Sequence, residues 1–287
     1  MGGFMQTRWL ATLVTVSLVY GCGSTTEPAV AGSDAATADV GDHDAGGDAS
    51  SVAFSCKVVK RTCADITAAF ASNASDVKVT CNESAETFTL QSTGVPTYMS
   101  NQTTPNAIED QTWVVVLPLN PTCASGTPQD VVASRGPVGF MVNGIPFYGP
   151  EDAMGNDAVK NEGPSFDDCD GHADPSCSYH YHEEPICVFG KGNTAAMHAL
   201  PDGHAPVIGF ALDGFAIHAS RSGDAGSDAL DSCGGHTDGT RGYHYHATKT
   251  APYLVGCYAG STRGTMAHSR NVCQNGVPIG GSDAGGG

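Results

Sequence analysis

The chain has 287 residues, enough for one large domain or two small ones around a buried core. Lys and Arg total 13 against 30 Asp and Glu, for a net charge of −17. That balance excludes nucleic acid and anionic lipid head groups as natural partners. The 11 cysteines suit an oxidising compartment, where thiols pair and few remain as ligands.

Residues 1–22 read as an export signal. Arg8 precedes the apolar run "WLATLVTVSLVY", whose 12 residues are too few to span a bilayer but suit a signal-peptide core. The run ends at Gly21-Cys22, which resembles the lipobox of bacterial lipoproteins. The resemblance implies a lipidated Cys22, and Gly23 after it resembles the outer-membrane sorting pattern. An ordinary secretory signal cut nearby is the alternative. The lipoprotein reading leads, and it places the protein in the bacterial cell envelope, as an outer-membrane lipoprotein or at the cell surface. Setting Cys22 aside leaves 10 cysteines, an even number that fits five disulfides.

Residues 23–51 carry six acids, no Lys or Arg and no aromatic residue. Such a segment lacks the apolar surface to fold and reads as a flexible acidic tether, so its His43 is set aside as a ligand. Residues 52–84 read as a disulfide-tied N-terminal extension. Within it, "CADITAAFASN" (63–73) is the best short helix. "VKVTC" and "TFTLQS" alternate as strands around the turn-rich "NESAE", and "TWVVVLPL" is a buried strand closed by Pro. "VGFMV-NG-IPFY" and "IGFAL-DG-FAIH" place Asn143-Gly144 and Asp213-Gly214 between apolar runs, the signature of hairpins with type I′ turns. Residues 266–287 end in the low-complexity "GGSDAGGG".

Each hairpin is followed by a loop and then by one cluster, "DDCDGHADPSCSYHYH" (167–182) or "DSCGGHTDGTRGYHYH" (231–246). They align without a gap, and nine of 16 positions match: Asp, Cys, Gly, His, Asp and then Tyr-His-Tyr-His recur in register. Two related halves sharing one core follow. A cysteine trails each cluster, so Cys169–Cys187 and Cys233–Cys257 are the first pairing to expect.

In a strand, residues i and i+2 share a face. His180 and His182 therefore lie together, with Tyr179 and Tyr181 behind them; His244 and His246 do the same in the second copy. His172 and His236 precede them at equal spacing, and Asp174 and Asp238 are available as ligands or as acceptors that fix an imidazole tautomer. His204, at the junction of the halves, is a further candidate ligand. Imidazole-rich sites suit zinc and copper, with copper ahead given the nearby tyrosines. The competing explanation is structural: Tyr and His alternating also make a good half-buried strand, as would suit a non-catalytic module that binds a glycan or a protein. His218 ends a hairpin strand and reads equally as a core residue, His198 and His268 show no pattern, and Asp213 reads as a turn residue. No serine-hydrolase elbow, phosphate-binding glycine loop or His-Glu-x-x-His helix occurs, and the sequence assigns no catalysis.

Taken together, "PLNP", "GPVGFMVNGIPFYGP", the two clusters, "HAPVIGFALDGFAIH" and "PYLVGCYAG" resemble the YHYH-domain family of exported proteins over residues 85–265. The resemblance implies a domain and no substrate. Cys177 departs from it, standing where the second copy has Arg241, and has Cys123 or Cys273 as possible partners. The expected fold is mainly β: two related hairpin-containing halves packed on one core, stapled by disulfides, with few short helices.

Overall fold

The computed structural model describes residues 54–98, 104–220, 229–269 and 273–278. The signal-like segment with Cys22, the tether and the glycine-rich tail lie outside the described residues. Among the described residues no helix is long and apolar enough to cross a membrane.

The chain enters through α1 (Cys63–Ala69). Thr62 caps it by accepting from the Asp65 N–H, while the Asp65 carboxylate accepts from the Thr62 N–H, a closed capping box. The expected helix over 63–73 ends early in a 3-10 turn at Ala71–Asn73, because the Asn73 carbonyl accepts from both Asp76 and Val77 and turns the chain out. β1 (Lys78–Asn82), β2 (Thr87–Ser92) and β3 (Trp113–Pro118) then form an antiparallel sheet. β1 lies in the N-terminal extension, yet it shares this sheet with the segments that follow.

β4 (Gln129–Asp130) leads to the principal sheet. Its strands are β5 (Pro137–Met141), β6 (Pro146–Tyr148), β7 (Gly171–Ala173), β8 (Tyr179–Tyr181), β9 (Val207–Ala211), β10 (Ala216–His218), β11 (Gly235–Asp238) and β12 (Gly242–His246). The order is β11-β12-β10-β9-β5-β6-β8-β7, so each half contributes a hairpin at the centre and a Tyr-His-Tyr-His hairpin at the edge. The halves meet between β5 and β9, where Gly139 faces Ala211, Phe140 faces Phe210 and Met141 faces Gly209. Exchanging the halves maps this register onto itself, which puts an approximate twofold axis at the Phe140–Phe210 pair. The small sheet packs there, with Trp113 5.3 Å from Phe140 and Phe88 5.1 Å from Phe210 between ring centroids. Two short strands, β13 (Cys257–Tyr258) and β14 (Thr265–Ala267), return to β4 and β3.

The two central hairpin turns differ from the expected type. Gly144 and Gly214 have positive φ, but Asn143 and Asp213 do not, which excludes a type I′ turn. The Gly144 N–H donates to Met141 and the Met141 N–H to Ile145, a three-residue loop whose last position needs the left-handed region; Ala211, Gly214 and Phe215 repeat it. A Cβ on Gly144 would lie 2.4 Å from Ser92 Oγ, so the glycine also lets the small sheet approach.

Five disulfides close the loops: Cys56–Cys123, Cys63–Cys81, Cys169–Cys187, Cys177–Cys273 and Cys233–Cys257. The pairs after the two clusters are those expected, and Cys177 takes Cys273 of its two possible partners.

Candidate metal centres

β7 and β8 pair so that His172 lies opposite His180, and alternation puts His182 on the same side. All three rings are buried. His180 Nε2 lies 3.0 Å from His172 Nε2 and 3.1 Å from His182 Nε2. The partners of the other ring nitrogens fix the tautomers. His180 Nδ1 faces the Ser178 carbonyl and His182 Nδ1 the Gly149 carbonyl, so each of these nitrogens carries the proton. His172 Nδ1 faces Ser165 Oγ, whose own hydrogen goes to the Glu162 carbonyl, so His172 Nδ1 donates as well. Each Nε2 is therefore a bare lone pair, and bare lone pairs at this spacing repel unless a cation sits between them. Ligand bonds of about 2.0–2.1 Å in a tetrahedral site put nitrogens about 3.3 Å apart, close to the spacing found.

A carboxylate joins this first cluster. Glu162 Oε2 is 3.4 Å from His182 Nε2 and 3.7 Å from His172 Nε2. It arrives on α2 (Ala158–Glu162), capped by Asp157 accepting from the Lys160 N–H. Burial and then the neighbouring Asp152 raise the Glu162 carboxyl above its usual range. Tyr148 stacks on His180 with ring centroids 3.9 Å apart and planes 12° from parallel, and its hydroxyl donates to Asp174. The cluster borders a cleft of about 690 Å³ that Gln111, Arg135 and Glu162 also line.

The second cluster repeats the design at the other edge. His236 lies opposite His244, with His246 on the same side of β12. His244 Nδ1 faces the Gly242 carbonyl and His246 Nδ1 the Ala219 carbonyl, the counterparts of Ser178 and Gly149. His204 supplies a fourth imidazole, its Nδ1 facing the Ala205 carbonyl. One ligand atom from each of His204, His236, His244 and His246 lies within 4.8 Å of every other. The Nε2 atoms of His204, His244 and His246 are buried with no hydrogen-bond partner among the described residues. His218 packs its ring against His204 and His244, with centroids at 4.5 and 4.8 Å.

Burial sets the proton affinities. It lowers His172 to about 4, helped by His182, and His180 far below the ordinary histidine value. In the second cluster burial lowers His244 to about 4 and His246 to about 3, against the opposing carbonyl hydrogen bonds. The rings are neutral at pH 7, the form that coordinates metal.

The alternating tyrosines have a different task. Tyr179 donates to Asp167 and Tyr243 to Asp231, the first residue of each cluster, whose Oδ1 also accepts the N–H groups two and four residues on. Tyr181 accepts from Asn143, and Tyr245 donates to Asp213 at 2.7 Å. Each edge hairpin is thus hydrogen-bonded to the turn of its central hairpin.

The sequence-derived candidates divide accordingly. His172, His180 and His182 come together at one edge; His204, His236, His244 and His246 come together at the other. Asp174 and Asp238 belong to neither cluster. Asp174 accepts the Ser176 and Ser178 N–H groups and the Tyr148 hydroxyl, and Asp238 is held by the Arg241 guanidinium and N–H. Asp174 acts toward His180 through the Tyr148 hydroxyl, and the Asp238 charge opposes the lowering of His244. Glu162 and His218 were not singled out as ligands from the sequence; the twofold correspondence of His218 with Tyr148 is the signal that points to it. His198 stacks on Phe189 and His268 lies tilted against Trp113, and neither belongs to the two ligand groups.

Residues 112–229 match the family model described as YHYH protein, a stretch that holds the first cluster and both central hairpins and ends just before the second cluster. No curated protein and no solved structure matches the chain.

Proposed function

We propose that this chain, which carries a YHYH domain over residues 112–229, is a transition-metal-binding protein with one ion site in each half. One observation carries the reading: in the first cluster, three buried Nε2 atoms with bare lone pairs converge at 3.0 and 3.1 Å. A scaffold role for these histidines requires no convergence. The second cluster, with further buried Nε2 atoms lacking a partner, supports the same reading. The ligands would be His172, His180, His182 and Glu162 at one edge, and His204, His236, His244 and His246 at the other. Copper or zinc fits the imidazole-dominated donor sets. The matching clusters and the symmetric strand order support descent of the halves from one duplicated unit.

We further propose an exported, lipid-anchored protein of the bacterial envelope, held through Cys22. Five disulfides support an oxidising compartment. Glycan or protein recognition has no comparable feature in its favour.

Metal analysis of the purified chain after loading with Cu(II) or Zn(II) and desalting tests the metal reading. Two ions per chain and a rise in melting temperature are expected. A chain that retains no metal and shows no thermal shift would refute it.

A further inference from the structure

Each cluster borders a hollow. The lining of the cleft beside the first cluster includes Asn106, Gln111, Arg135 and Glu151 together with Pro105, Trp113 and Pro137. A chamber of about 450 Å³ borders the second, within the range of about 300–1,000 Å³ typical of small-molecule sites. Ile66, Ala69, Phe189, Phe210 and Phe215 give it an apolar wall, and His218 and His244 from the second cluster complete it.

The chamber is built in advance of any ligand. α1 supplies one wall and is fastened on both sides, by Cys63–Cys81 within the small sheet and by Cys56–Cys123 to the later chain. Arg61, just before α1, donates to the carbonyls of Leu119 and Gly214, with its guanidinium carbon 5.6 Å from the Phe210 ring centroid. Charged groups also reach the wall, Lys60 and Arg61 among them. Arg241 pairs with Asp238 and Asp202, and Asp65 belongs to the capping box of α1. An apolar ligand finds Phe and Ile surface there. His244 Nε2 is buried without a hydrogen-bond partner.

We propose that this chamber binds a small molecule with an apolar body and one nitrogen or oxygen donor. Its apolar body lies between α1 and Phe210, and its donor is directed to the ion of the second cluster. The inference rests on the reading of that cluster as a metal site.

Co(II) loading of the full chain provides the test, with imidazole and 4-phenylimidazole as probes followed by visible absorption. The phenyl group should improve affinity at least about tenfold by entering the chamber. Ala69→Phe, which fills the chamber, should remove that preference while metal content stays at the wild-type value; Ala69→Leu serves if the larger side chain prevents folding. Equal affinity for the two probes, or a preference that survives both substitutions, overturns the proposal. A chain that takes up no Co(II) overturns the metal reading itself, and metal analysis shows this before any probe is added.

Discussion

Tyr148 and His218 occupy equivalent places in the two halves, each at the end of the second strand of a central hairpin. Tyr148 lies face to face with His180, while His218 joins its neighbours edge-on and shares the Ala205 carbonyl with His204. Two exchanges therefore separate otherwise matched centres, Tyr148 for His218 and Glu162 for His204: one is a His₃-carboxylate cluster, the other an all-imidazole cluster.

If the centres are independent, single substitutions should separate them. His180→Ala is expected to abolish one ion per chain and leave the other, and His244→Ala to do the converse. The ratio of metal to protein after desalting measures this. Loss of both ions from either variant, in a chain that still melts cooperatively, would mean one shared site.

Much of this arrangement was legible in the sequence. Period-two alternation put His180 beside His182, and identical spacing put His172 and His236 with their partners. The hairpins were legible from apolar runs around Asn143-Gly144 and Asp213-Gly214. Their turn type was not, because a three-residue loop uses Asn143 or Asp213 with ordinary φ and leaves the left-handed position to glycine alone. Asp174 and Asp238 looked like ligands by position. Their carboxylates instead close tight turns by accepting N–H groups a few residues on, the commonest use of Asp in such places. Glu162 and His218 reach the centres from other elements, through packing that no local spacing encodes.

The tyrosines of the motif should matter for stability and not for metal. Tyr245→Phe removes the hydroxyl that donates to Asp213 and accepts from the Ala259 N–H, both buried. Losing a hydrogen bond to a charged group costs about 1.5–3 kcal/mol. Chemical denaturation should show a loss of that size, with ion content unchanged. A fall in ion content without a fall in stability would place the tyrosine in the metal site instead.

The apo protein should lose stability on acidification earlier than its carboxylates alone would cause. Burial holds His172 and His244 at about 4 in the folded chain, whereas an unfolded histidine titrates near 6.5. Between those values the unfolded chain binds protons that the folded chain cannot. Stability is therefore full above about pH 6.5 and falls as pH drops toward 4, by up to about 1.4 kcal/mol per pH unit for each such histidine. Denaturation midpoints of the metal-free chain at pH 7.5, 6 and 5 measure the slope. A flat profile across that window would show that the rings are solvated and protonate freely.

Glu162 gives the first centre a charge that the all-imidazole centre lacks. Its Oε2 lies 3.4 Å from His182 Nε2, where it would face a bound cation directly or through one water. Glu162→Gln keeps the shape and removes the charge, so affinity at this centre should fall about tenfold, equivalent to about 1.4 kcal/mol. The second centre should be unaffected. The same reasoning fixes a pH effect. Burial and Asp152 raise the Glu162 carboxyl, so it takes up a proton at a higher pH than an ordinary glutamate as acidity increases. Protonation of Glu162 should then contribute to weakening metal binding at the first centre on acidification, and that contribution should vanish in the Gln variant. Competition titrations against a chelator at pH 7 and pH 5, on wild type and variant, resolve both effects. Equal affinity of the two proteins at both pH values would show that Glu162 does not act on the ion.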